Sequence, residues 1–382
     1  MIYLDNAATS FPKAPGVAEA MADQVRRLGG NPGRASHGMA VGASRLLFDA
    51  REAVARLVGV GEAERLVFAK NATEALNAAI LGLARPGDVV ATSSLEHNAV
   101  MRPLRWLEAR RGIEVLVFRC DESGDPDPSD LRAIAARRPD LAVFTMASNV
   151  SGAVLPVEEL VAFFGMAGVP VCLDGSQLVG HRPLCADALG ADFLCFPGHK
   201  GLLGPTGTGC LALGAGLGRM PEPLIRGGTG SASDSERQPE FLPDRYEAGT
   251  QNLAGAAGLL AAARFLDAAG LESVRSREAA LTDRLVGGLS GLPGLRVYGP
   301  PAGRDRAGVV SVAAGGASLA EIAAELDRRE VAVRMGLHCA PAAHRSIGSF
   351  AGGGTIRFSI GFFNTEADID GAVSAMEAIL AR

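Results

Sequence analysis

Between residues 64 and 213 short apolar runs alternate with longer stretches of helical pattern, and nothing else in the chain restricts its fold as strongly. The runs lie at 65–68, 89–92, 115–118, 141–146, 169–173, 193–196 and 209–213. Most are apolar on consecutive rather than alternate positions, as in strands covered on both faces. Helical patterns at 73–84, 129–138 and 157–167 separate several of them. The alternation predicts an α/β domain on a large, mostly parallel, seven-stranded sheet. Ligands of such sheets gather beyond the carboxyl ends of the strands.

Residues 227–249, rich in Gly, Ser, Asp and Pro, read as a long irregular loop of the kind that usually serves a function. Helical patterns follow at 253–269 and 272–288, then strand 309–313, helix 319–329, strands 331–334 and 355–360, and helix 366–380. These predict a smaller α+β unit. The expected division gives 13–253 to the large domain, and 1–12 with 254–382 to the small one. With 382 residues, 48% of them apolar, the chain can fill both cores. Its 37 basic and 42 acidic side chains leave a net charge of −5, with no basic run to neutralise a nucleic acid. No apolar stretch reaches the roughly 20 residues of a membrane span. Residues 1–10 lack the basic start and apolar stretch of a signal peptide, so a soluble, cytoplasmic protein is expected. The 6 cysteines are too sparse for a disulfide framework and none are spaced C-x-x-C; no metal site is expected. Cys120, Cys172, Cys195 and Cys210 fall in or beside apolar runs and read as small core side chains.

Of the 37 basic residues only Lys13, Lys70 and Lys200 are lysines. Arginine has taken most of the general cationic work, but its delocalised, permanently held charge cannot serve as a nucleophilic amine. Lys200 sits beside His199 among glycines, just past the run at 193–196. It is either a desolvated, nucleophilic amine or a surface lysine in a turn. Asp174 ends the fifth run, as a partner for a buried cation or as the cap of a following helix. The glycines at 201–209 match neither G-x-x-x-x-G-K-[ST] nor G-x-G-x-x-G, so no nucleotide loop is supported. Asn71 or Thr73 suits an N-cap, and the helix start at Ala72 and Thr73 suits a phosphate. His97 could stack on a flat ring, move a proton or be structural. One ligand accounts for a carboxylate, a lysine, a flat side chain and a phosphate cradle together: pyridoxal phosphate.

The chain resembles the cysteine desulfurase and selenocysteine lyase branch of the class V aminotransferases, which are fold-type I pyridoxal-phosphate enzymes. The likeness runs through Leu4-Asp5-Asn6-Ala7-Ala8-Thr9, Asn71-Ala72-Thr73-Glu74, Glu96-His97-Asn98 and Ser148-Asn149-Val150-Ser151-Gly152. It continues in Asp174-Gly175-Ser176-Gln177, Gly198-His199-Lys200, Glu247-Ala248-Gly249-Thr250-Gln251-Asn252, Arg334-Met335-Gly336-Leu337-His338-Cys339-Ala340-Pro341 and Arg357-Phe358-Ser359. The resemblance implies that Lys200 holds the cofactor and shuttles protons, Asp174 pairs with the ring nitrogen, Gln177 bonds the phenolic oxygen and His97 stacks on the ring. It implies a phosphate site from Thr73, His199 and, in a homodimer, Thr250 of a second subunit. Asn149 and Arg357 would bind the substrate carboxylate, with Arg334 near the active cysteine. Cys339 would take sulfur from L-cysteine as a persulfide and leave L-alanine, with His338 or a cofactor group helping to form the thiolate.

The segment around Cys339 is short, as in group II enzymes and a desulfurase-like subgroup with L-H-C-A-P. A dedicated sulfur-acceptor protein is therefore expected, feeding iron–sulfur cluster or thio-cofactor assembly. Leu337 stands where the usual pattern has His, and Pro197 where Ser is common. Selenocysteine lyase, acting on L-selenocysteine, is the nearest alternative. Others are an aminotransferase, epimerase or C–S lyase that needs no Cys339 nucleophile, and a non-catalytic sulfur carrier.

Overall fold

A computed structural model describes residues 1–33, 37–316 and 318–381. The chain opens with β1 (Ile2–Tyr3), α1 (Val17–Arg27) and α2 (Gly38–Leu57). Then come β2 (Leu66–Ala69), α3 (Ala72–Leu83), β3 (Val89–Ser93), α4 (Asn98–Arg111), β4 (Glu114–Phe118), α5 (Pro128–Ala136) and β5 (Leu141–Thr145). They are followed by α6 (Val157–Met166), β6 (Val171–Asp174), α7 (Ala186–Leu189), β7 (Phe193–Pro197), β8 (Gly209–Leu213), α8 (Leu253–Ala269) and α9 (Leu271–Ser290). The remainder is β9 (Leu295–Tyr298), β10 (Val309–Ala314), α10 (Leu319–Arg328), β11 (Val331–Ala332), β12 (Arg334–Gly336), α11 (Pro341–Ser346), β13 (Thr355–Ser359) and α12 (Glu366–Leu380).

All seven expected runs became strands of one sheet, in the order β2-β8-β7-β6-β5-β3-β4. β8 alone runs against its neighbours, β2 and β7. Successive side chains point to opposite faces, and both faces are covered. Phe118, Phe144, Leu173 and Phe196 enter one core, while Val143, Cys172, Phe193 and Leu211 enter the other. Burying side chains of this size stabilises by roughly 1.5–3 kcal/mol each, which is why the runs are apolar throughout. Cys120, Cys172, Cys195 and Cys210 are buried, as their runs suggested. The segment 227–249 carries no regular element.

The smaller unit holds an antiparallel sheet, β12-β13-β10-β9, and a parallel pair, β1 with β11. Leu4, Leu285, Val312, Ile356, Phe358 and Met376 pack in its core. Two expectations shift and one strand is new. The strand expected at 331–334 is two: β11 pairs with β1, then the chain turns at Val333 so that β12 pairs with β13. β9, whose Leu295 and Val297 are only partly buried, gave no sequence signal and is an edge strand. The expected division at 253/254 falls at the start of α8, yet Ala256, Leu259, Ala263 and Leu266 of α8 belong to a core of the large sheet. The chain bends by 81° between α8 and α9, and packing changes hands within α9: Val274 still joins the large-sheet core, while Leu281, Leu285 and Leu289 join the small one. Among the described residues no single helix is long and apolar enough to cross a membrane.

Candidate active site

β3, β5, β6 and β7 are parallel, so their carboxyl ends share one edge of the sheet. Beyond that edge lies a cavity of ≈ 200 Å³, lined among others by Thr73, His97, Asn149, Asp174, Gln177 and Lys200. Ala72, His199, Arg334 and Arg357 line it too. The sequence thus named residues from nine separate places in the chain that the fold brings to one wall, with two exceptions: Cys339 and Thr250 are not among the lining residues.

Glycine builds the Lys200 loop. A Cβ on Gly198 would lie 2.2 Å from Thr208 Oγ1, and one on Gly201 would lie 2.4 Å from the Val179 carbonyl. Only the residue without a Cβ lets the loop fold back this closely. Burial pushes the Lys200 amine down to about 8, against Asp174, which favours its charge; Arg357 and Arg334 push it further down. The other two lysines separate cleanly. Lys70 is exposed and reaches Glu74 at 3.5 Å. Lys13 donates to the His199 carbonyl at 3.0 Å and to Thr9 and Ser10 hydroxyls at 3.1 Å, so it braces the loop from behind.

Asp174 does not cap a helix: Oδ1 accepts from Ser176 N at 3.0 Å, and the next helix starts only at Ala186. Asn71 is the cap of α3, accepting from Glu74 N at 2.9 Å. The N–H groups of Ala72 and Thr73 lie ahead of the first intrahelical bond and face an anion's preferred position. His97 caps α4, its Nδ1 accepting from Ala99 N at 3.0 Å. That bond leaves the ring proton on Nε2. Burial pushes the ring down to about 4, and Lys200, Arg334 and Arg357 add to the fall against Asp174, so His97 presents a neutral flat face. Gln177 donates to the Ala7 carbonyl at 3.4 Å, tying the N-terminal segment to this wall. His199 Nδ1 and Asn149 Oδ1 are buried without a hydrogen-bond partner.

Arg357 is only 1% exposed; it pairs with Asp5 at 2.8 Å and donates to the Asn149 carbonyl at 3.2 Å. Burial lowers its pKa and Asp5 opposes the fall. Asp5 was visible only as part of a motif, with no role; the contact that gives it one spans 352 residues.

Cys339 is exposed, at the mouth of the site, on a tight turn. His338 and Cys339 both have left-handed backbones, φ 48° and 57°, which non-glycine residues adopt at a cost of order 1–3 kcal/mol each. The turn is pinned on both sides. Asn149 Nδ2 donates to the His338 carbonyl, and Asn98 N, at the start of α4, donates to the Cys339 carbonyl, each at 2.8 Å. Arg334 Nη2 lies 3.7 Å from Cys339 Sγ. The expected help of His338 in forming the thiolate is not built by direct contact. Its ring is buried and its Nε2 meets Thr355 Oγ1 at 3.0 Å, facing the core. Thr355 donates onward to Ser311 at 3.1 Å and Ser311 to the Val150 carbonyl at 2.6 Å, so the hydroxyls accept in turn and Nε2 carries the proton. Thr250 is exposed and lines a separate cavity of ≈ 390 Å³ with Lys70, Leu224, Ile225 and Gln251.

A lysine amine pushed down to about 8, a buried carboxylate and an uncharged ring thus share one wall. The sequence matches the Aminotransferase class-V family over residues 2–371. The chain belongs to the class-V aminotransferase family. Among its family relatives it is 34% identical over 384 residues to a probable cysteine desulfurase of Methanothermobacter thermautotrophicus, covering 99% of this chain and 94% of that one. A cysteine desulfurase of Haloferax volcanii is 32% identical over 385 residues, covering 99% of this chain and 89% of that one. The structure superimposes on the apo cysteine desulfurase of Thermococcus onnurineus with a TM-score of 0.92 at 32% identity, covering 100% of this chain and 94% of that one. An Escherichia coli cysteine desulfurase gives 0.88 at 28% identity, with the same coverage of 100% and 94%.

Proposed function

We propose that this chain is a pyridoxal-phosphate-dependent cysteine desulfurase that converts L-cysteine to L-alanine and collects the sulfur on Cys339. One observation carries the reading: Lys200, Asp174 and His97 share the wall of a cavity whose rim presents Cys339 on a pinned turn. The residues fit the cofactor. The unpartnered His199 Nδ1 and the leading N–H groups of α3 suit a phosphate, and Asp174 suits a protonated ring nitrogen. Lys200 would hold it covalently, His97 would cover one face, Gln177 would bond its phenolic oxygen, and Thr73 and His199 would hold its phosphate. When bound, pyridoxal phosphate supplies an electron-withdrawing ring that drains charge from the amino acid.

The chain's own residues do the rest. Arg357 and Asn149 bind the substrate carboxylate, the planar guanidinium matching its geometry. Lys200 Nζ, released from the cofactor, moves the proton at the substrate Cα, a task suited to an amine near 8. Cys339 attacks as thiolate, the nucleophilic form, with the Arg334 cation beside it. Its Sγ bonds the substrate sulfur and the substrate Cβ–S bond breaks. The electron pair left on Cβ takes a proton, so alanine leaves and Cys339 carries the persulfide. The strained, pinned turn holds Cys339 near the mouth, so a sulfur-acceptor protein has to approach it there. Iron–sulfur cluster or thio-cofactor assembly is the destination we assign to the sulfur. Thr250 completes the phosphate site only when supplied by a second copy of the chain, which makes the working unit a homodimer.

Incubation with L-cysteine and a reducing thiol, with alanine and sulfide measured, tests the reading. Cys339→Ser is expected to stop alanine formation while the bound cofactor keeps its visible absorption. Unchanged alanine formation by that variant would falsify the persulfide route. Turnover on L-selenocysteine beside L-cysteine measures which substrate the site prefers.

A further inference from the structure

Glu96 belongs to the Glu96-His97-Asn98 motif but has no part in the chemistry above. Its side chain is 0% exposed. β3 and β5 pair at Val90↔Leu141, Ala91↔Ala142 and Thr92↔Val143, and there the ladder stops. Three residues on, Met146 N donates to the Asp174 carbonyl on the β6 side. Thr145 N points the other way, to where β3 would have supplied the next carbonyl. Glu96 Oε1 stands in that place and accepts from Thr145 N at 2.9 Å. It also accepts from the Ser93 hydroxyl, whose oxygen in turn accepts from Leu95 N at 3.1 Å. The carboxyl thus substitutes for one rung of the sheet at the point where β3 turns away to present His97.

The charge state follows from what is missing around it. Oε2 is buried with no hydrogen-bond partner, and no ion pair of Glu96 exists among the described residues. Asp174, one strand away, faces it as a like charge, and the nearby Cys120 thiol offers no positive charge. A buried carboxylate without a cation is far costlier than the un-ionised acid. Burial, first, and Asp174 push Glu96 up to about 8, against its hydrogen bonds from Ser93 and Thr145.

We propose that Glu96 is a positioning residue: as an un-ionised carboxylic acid it fastens the His97 turn to β5 and leaves Asp174 to carry the buried negative charge toward the ring nitrogen. The inference deepens the proposed function, and its first readout is independent of it. Infrared spectra of the purified full chain, without cofactor at neutral pH, should contain the carbonyl stretch of an un-ionised carboxyl that Glu96→Gln removes. Glu96→Gln keeps the acceptor oxygen and the neutral charge. In the cofactor-loaded protein it should hold kcat, KM for L-cysteine and the visible absorption within about twofold of the parent. Glu96→Asp is too short to reach Thr145 and should lower kcat about a hundredfold with a shifted absorption band, the scale of a misplaced catalytic group. Rescue by Gln but not Asp supports the proposal. A missing infrared band, a Gln variant as damaged as the Asp variant, or an Asp variant that behaves like the parent overturns it. If the chain does not act on L-cysteine, the infrared band still decides the protonation state while the proposed function fails alone.

Discussion

The wall of the cavity and its rim are built on opposite physical terms. Lys200, His97 and Arg357 on the wall are tuned by burial, which shifts each away from its usual protonation balance. Cys339 on the rim is exposed, and its environment is set by one neighbouring guanidinium and two pinned carbonyls. Most of the wall comes from strand ends of the large sheet, whose positions are fixed by the ladder, and β12 and β13 of the small unit add Arg334 and Arg357. The rim comes from the small unit, between β12 and α11. A chain can thus keep the wall and lose the rim, and the two should separate under mutation.

The largest effects are expected where the separation is complete. Lys200→Ala should remove both turnover and the visible absorption of the bound cofactor, whereas Cys339→Ser should remove turnover alone; spectra and alanine assays on the pair read this directly. If both variants lose the cofactor, wall and rim are not independent. Next comes Arg357→Lys, which keeps the charge but not the fork. It should raise KM for L-cysteine by roughly ten- to a hundredfold, the scale of one charged hydrogen bond, with the absorption band kept.

The wall also predicts a pH response. In the cofactor-free protein the Lys200 amine becomes half deprotonated at about 8, so labelling by an amine-reactive reagent should rise through that pH. The stability sign is fixed too. Unfolded lysine holds its proton to about 10.4, so the folded state binds fewer protons in the window above 8. Stability from this group therefore rises with pH between those values, and Lys200→Met should stabilise the cofactor-free protein below 8 and lose that advantage above the window. A melting difference that is flat with pH would contradict a buried amine. The smallest effect is expected beneath the rim. Thr355→Val removes the hydroxyl that receives His338 Nε2, costing about 1 kcal/mol of stability, readable as a lower denaturant midpoint, with the visible absorption of the cofactor unchanged.

Much of the site was legible because its residues are rare types at strand ends. Lys200 stood out as one of three lysines, and Asp174 as a carboxylate closing an apolar run. Glu96 could be seen but not interpreted. Its meaning lies in the missing rung at Thr145, 49 residues away, and no local pattern records where a ladder stops. Asp5 and Lys13 were obscured in the same way, since their partners lie on distant segments. His338 was misplaced by adjacency. The residue next to Cys339 looks like its base, but the left-handed turn sends the ring into the core.

By itself the sequence determined the seven strands, the burial of both sheet faces and which lysine follows a buried strand, because hydrophobic period and residue chemistry are local properties of the chain. Only the tertiary structure decided that 331–334 is two strands serving different sheets, that α8 packs with the large domain, and that Cys339 is held to the start of α4. Those outcomes depend on which distant groups come within hydrogen-bonding or packing distance, and such distances exist only once the chain has folded.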